Sequence, residues 1–69
     1  MAVNLAYNYA EIDPLDNMCI GVHTMSYEST DPYFVSIPVY DGEYLCKYYI
    51  NGSWYEDAEG TIPWTSSLL

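Results

Sequence analysis

An all-β fold is predicted by three features of this chain. β-prone aromatic runs flank Asn51-Gly52, the segment near the N-terminus alternates with period two, and no segment shows apolar residues at helical spacing with good caps. The expected architecture is a small antiparallel meander of four to five short strands, closed by the Asn-Gly hairpin. Residues 1–57 form this β-meander domain, and residues 58–69 form an extended C-terminal arm.

The strands follow in order. From Leu5 to Ile12, Leu5, Tyr7, Tyr9 and Glu11 point one way and Ala6, Asn8, Ala10 and Ile12 the other, as a strand requires. Asp13-Pro14-Leu15-Asp16-Asn17 is turn chemistry. Met18 to Met25 reads as a second strand pairing antiparallel with the first. Met18, Ile20 and Val22 lie on its apolar face, and Cys19, Gly21 and His23 lie on the other. Gly21 in mid-strand signals a bulge or a close neighbour. Ser26 to Pro32 reads as a loop, and Tyr33 to Ile37 as a short strand. Pro38 stops that strand and places it at a sheet edge, because proline donates no ladder hydrogen bond. Asp41-Gly42 is a second turn signal.

Tyr44 to Ile50 and Ser53 to Glu56 are the arms of the closing hairpin. Asn and Gly both tolerate the positive φ of a two-residue type I′ turn. That turn sets Ile50 opposite Ser53, Tyr49 opposite Trp54, Tyr48 opposite Tyr55, and Lys47 opposite Glu56. Aromatics then meet aromatics, and the one basic side chain of the lysine-arginine class meets an acid.

Size and charge narrow the function. A domain of 69 residues reaches only about 3 to 5 kcal/mol of net stability from its core, so a partner, a staple or oligomerisation is expected. The ten acids and single lysine give a net charge of −9. Phosphate binding needs Lys and Arg, so nucleic acid and an anionic membrane surface are not expected partners. The charge also serves to keep an apolar chain soluble. Met1 to Ala10 carries no basic residue and no hydrophobic block, so no signal peptide is expected and the chain is placed in a cytoplasm. Cys19 and Cys46 are the one possible staple: two thiols are compatible with a single disulfide. The count is also ordinary for a reduced intracellular chain, in which they sit in apolar runs as small hydrophobes; they match no zinc spacing.

Candidate chemistry is sparse. His23 has no second base or metal ligand near it in sequence, and Cys19 lies four residues away on the same strand, about 13 Å. Asp13, Asp16 and Asn17 resemble a loose calcium loop, but Thr24 stands where an EF-hand places its bidentate Glu, and an Asx-type turn explains the same residues. Glu56, Asp57 and Glu59 read as a solvated turn. No catalytic residue, cofactor or metal is expected.

The aromatic group is the remaining signal. Tyr49 and Trp54 share one face of the hairpin, and Tyr48 and Tyr55 share the other. One face is expected to pack inward and the other to meet a partner. The candidate interaction residues are Tyr48, Tyr49, Trp54 and Tyr55, with Ile62, Trp64, Leu68 and Leu69 as apolar anchors of the arm.

The run Tyr9-Ala10-Glu11-Ile12-Asp13, then Cys19-Ile20-Gly21-Val22, then Ile37-Pro38-Val39-Tyr40-Asp41, and finally Lys47 to Glu56 is similar to small structural modules encoded in bacteriophage tail gene clusters. The likeness covers about residues 7 to 57. It departs from that pattern at Cys46, where the modules carry glycine before the lysine. The resemblance implies a virion structural or tail-assembly role, protein partners in a symmetric oligomeric assembly, and no enzymatic activity. Two other roles fit the composition: an acidic mimic of nucleic acid that occupies a basic groove, and a carbohydrate-binding module at a fibre tip.

Overall fold

A computed structural model of the chain describes residues 6–69, so Leu5 of the expected first strand lies outside the described residues. The described chain is all-β, with five strands in two antiparallel sheets and one short 3-10 turn. Strands β1 (Tyr7–Ile12), β2 (Cys19–Met25) and β3 (Phe34–Ser36) form the first sheet, in the order β2-β1-β3. Strands β4 (Tyr48–Ile50) and β5 (Ser53–Tyr55) form the second.

A simple meander would run β1-β2-β3. Instead β1 is central and β3 takes the far edge, the position expected of a strand that ends before Pro38. β1 and β2 are joined by the turn Asp13 to Asn17. There the Asp13 carboxylate accepts the Leu15 N–H at 2.9 Å, and Asp16 accepts the Met18 N–H at 3.0 Å. These are Asx turns, and Asn17 closes the reversal at φ 64°.

The two faces of β2 differ from the alternation expected for it. Glu11 pairs with Gly21 and Ile12 pairs with Cys19, so Ile20 has no partner and forms a bulge. The extra residue inverts the pattern on one side of it. Cys19 turns into the core at 1 % exposed, and Ile20 faces outward at 49 %. Cys19 and His23 are therefore not on one face.

The core lies between the sheets. Ala10, Ile12, Cys19, Ile37 and Tyr44 are its buried centre, and Val22, Val35, Val39, Tyr49, Trp54 and Trp64 pack against it. The opposite face of the first sheet is covered locally. Tyr9 is buried there, and its hydroxyl accepts the Ser29 N–H at 2.9 Å, which ties down the loop over 26–32. Phe34 packs against Tyr9 and stacks on His23 with ring centroids 5.2 Å apart.

The hairpin arms are shorter than expected. Residues 42–44 form the 3-10 turn, capped by Asp41, whose carboxylate accepts the Glu43 N–H at 2.9 Å. Cys46 follows at φ 67°, and regular pairing begins only at Tyr48. From there Tyr48 pairs with Tyr55, Tyr49 with Trp54, and Ile50 with Ser53, around Asn51 and Gly52 at φ 51° and 84°. No ion pair joins Lys47 to Glu56; the Lys47 ammonium lies over the Trp64 ring, 5.1 Å from its centroid.

Candidate functional site

The candidate site grows from the C-terminal segment, which lies along β5. Glu56 donates its N–H to the Ile62 carbonyl at 2.8 Å, and Trp64 donates to the Trp54 carbonyl at 3.0 Å. Tyr55 and Pro63 form a bridge between these hydrogen bonds. The return from β5 is made by Asp57, which accepts N–H groups from Thr61 and Ile62 and the Thr61 hydroxyl, and by Gly60 at φ 69°. A Cβ at Gly60 would meet Ile50 Cδ1 at 3.2 Å, so both the conformation and the space favour glycine.

This return brings three rings together. Tyr44 sits between Trp54 and Trp64, edge-on to both, with centroids 4.9 and 4.8 Å away. Tyr49 joins Trp54 at 5.0 Å. Such pairs add about 0.5–1.5 kcal/mol each beyond area burial. Burial, and to a lesser degree the Asp41 carboxylate, raises the Tyr44 pKa, so the phenol stays protonated. Below the rings, the Ser66 hydroxyl donates to Asp41, and the Ser67 hydroxyl donates to Glu43 at 3.1 Å.

An open cleft of about 380 Å³ results, lined among others by Pro38, Ser53, Trp54, Pro63, Trp64 and Leu69. A second concavity of about 300 Å³ lies between Ile12, Pro14, Pro32, Tyr33 and Tyr49.

The eight candidate interaction residues divide into three groups. Tyr49, Trp54 and Trp64 pack on the core, with the two tryptophans also forming cleft wall. Tyr48 and Tyr55 occupy the other hairpin face and are half-buried. Ile62, Leu68 and Leu69 stay 50 to 66 % exposed.

The remaining candidates do not assemble into a reaction centre. The Cys19 thiol donates to the Gly21 carbonyl at 3.2 Å, and burial raises its pKa. His23 Nε2 binds the Glu11 carboxylate at 2.9 Å on the other face. Asp13 and Asp16 spend their Oδ1 atoms on backbone N–H groups, and among the described residues no three His, Cys, Asp or Glu side chains gather as metal ligands.

The sequence shows Tyr44 among its aromatics and Asp41 in a turn signal, but not that these two converge with Ser66 as the structural hub of the site. Asp41 carried a usable signal, since Asp before a short helical turn is a favoured cap. Ser66 carried none. The chain matches no family model, no curated protein and no solved structure.

Proposed function

We propose that this chain is a non-enzymatic docking module that completes its apolar surface against protein neighbours in a symmetric assembly. The observation that carries this reading is the balance of apolar residues. Among the described residues, nine large hydrophobic side chains are at least 45 % exposed, against six buried apolar residues. Three of the nine, Ile62, Leu68 and Leu69, lie on the C-terminal segment, and Leu69 borders the tryptophan cleft. Contacts made on assembly stabilise the folded form by mass action, which suits a small core.

The setting we propose is a bacteriophage virion, in its tail, tail fibre or capsid, assembled in the host cytoplasm. The support for that setting is the resemblance in strand and turn order to tail-cluster modules. The acids argue for assembly over nucleic-acid mimicry. Asp13, Asp16, Asp31, Asp41 and Asp57 accept backbone N–H groups in turns, and a mimic needs its carboxylates free in rows.

The test is the double substitution Leu68→Asp with Leu69→Asp, made in the virus that carries the gene. Both residues are exposed, so the fold should keep its melting temperature. The expected result is loss of the protein from purified particles. Normal incorporation of a folded double variant would rule out this surface as the dock.

A further inference from the structure

The two cysteines, separate in sequence, converge where the sheets meet. Cys46 donates its backbone N–H to the Cys19 carbonyl at 2.9 Å, and Cys19 donates its own to the Lys47 carbonyl at 2.7 Å. Cys46 and Lys47 thus share one residue across the pairing, as in a bulge whose first residue is left-handed. Cys46 has φ 67°, a position that glycine fits and a side chain strains. A strained cysteine thus stands beside the only other cysteine of the chain.

The bond of 2.9 Å from the Cys46 N–H to the Cys19 carbonyl is one of the two that join a regular antiparallel pair, whose Cα atoms lie about 5.5 Å apart. It brings the two backbones near the span of about 4.4 to 6.8 Å that a disulfide bridges. Both thiols are free, with Cys19 buried and Cys46 exposed. Burial raises the Cys19 pKa, the Gly21 hydrogen bond opposes it, and the nearby Cys46 adds to it.

We propose that Cys19 and Cys46 are a reversible redox pair, which closes into an intramolecular disulfide by exchange with a small disulfide such as oxidised glutathione. The exposed Cys46 reacts first. Its thiolate attacks one glutathione sulfur, the glutathione S–S bond breaks, and a Cys46–glutathione bond forms. The departing glutathione thiolate takes up the proton that Cys46 lost. Cys19 then gives up its proton and attacks the Cys46 sulfur. The mixed bond breaks and the second glutathione leaves as a thiol. The protein loses two electrons and two protons, and one disulfide becomes two thiols. The second step is the slower one, because the buried thiol yields its proton reluctantly. The bond formed ties β2 to the entry of β4 and so locks one sheet to the other. A reducing cytosol keeps the pair open, and an oxidising medium closes it.

The test uses the full chain, reduced and then incubated with oxidised glutathione at about pH 8. The expected product is a monomer lighter by two hydrogens, carrying no glutathione, with a melting temperature raised on the order of 10 °C. Dithiothreitol should reverse both changes. Cys46→Ser should fold, keep its Cys19 thiol unreacted while native, and show no rise. Cys46→Gly, which also removes the strain, should behave the same way. A lasting glutathione adduct on Cys46, disulfide-linked dimers, thiols that stay free, or a bond that forms only in urea would each overturn the proposal.

Discussion

The Ser66 hydroxyl donates to the Asp41 carboxylate, and both residues are buried, at 4 % and 7 % exposed. Asp41 also caps the 3-10 turn that carries Tyr44, so one carboxylate holds the C-terminal segment and the central ring of the cleft. Ser66→Ala leaves a buried carboxylate oxygen without its donor and takes an acceptor from the Leu68 N–H. Such a loss costs about 1–3 kcal/mol. Against a total of roughly 3 to 5 kcal/mol this is a large share. The urea midpoint, followed by tryptophan fluorescence, should fall accordingly. An unchanged midpoint would show that the segment is held by its backbone pairing with β5 alone.

The hairpin was legible in sequence because its determinants are local. Asn51 and Gly52 specify the turn, and the turn specifies the pairs from Tyr48–Tyr55 to Ile50–Ser53. The turn at Asp13 to Asn17 was legible for the same reason. The bulge at Ile20 was not, since a period-two reading has no means of skipping a residue, and one skipped residue exchanges Cys19 for Ile20 in the core. The central place of β1 was also hidden, because nothing in the polar loop over 26–32 says which edge of β1 the chain returns to. A tyrosine at position 44 suits a sheet, and the cap at Asp41 overrides that preference in favour of the 3-10 turn. The site inherits these limits: its rings are visible in the sequence, while the Asp41–Ser66 contact that organises them joins distant segments.

Gly21 keeps the face around His23 intact. An added Cβ would lie 2.9 Å from His23 Nε2 and 3.3 Å from Glu11 Oε1. Both are ends of flexible side chains, so Gly21→Ala should displace them rather than unfold the strand. The expected loss is about 1 kcal/mol, the size of one exchanged hydrogen bond. His23→Ala should remove most of that cost when combined with Gly21→Ala, because the clash then has no partner. A fully additive double variant would place the strain in the backbone instead.

Asp57 governs a pH response. The Thr61 hydroxyl holds its carboxyl below the ordinary range; desolvation opposes that hold, and the Ile62 and Thr61 N–H groups each add a smaller pull in the same direction as the hydroxyl. The folded state therefore favours the ionised form. The stabilisation is complete above the unfolded value of about 4 and is lost as pH falls through the lower folded value. The wild type should lose more melting temperature than Asp57→Asn between about pH 5 and pH 2. Parallel curves for the two proteins would remove Asp57 as the source.

Cys46→Gly should stabilise the reduced protein. A left-handed backbone costs a side-chain-bearing residue about 1–2 kcal/mol, and glycine escapes that cost. Glycine gives back part of the gain through its more flexible unfolded chain, roughly 0.5–1 kcal/mol. Cys46 is exposed, so little packing is lost with its thiol. The net expectation is a gain of about 0.5–1 kcal/mol, measured by urea denaturation in excess dithiothreitol. Under oxidising conditions the order should invert. The disulfide available to the wild type closes the chain between residues 19 and 46, worth about 3–4 kcal/mol in the chain-entropy account. A glycine variant that is less stable than the reduced wild type would mean that the Cys46 side chain makes a stabilising contact of its own, and the left-handed turn would not be a cost carried for the thiol.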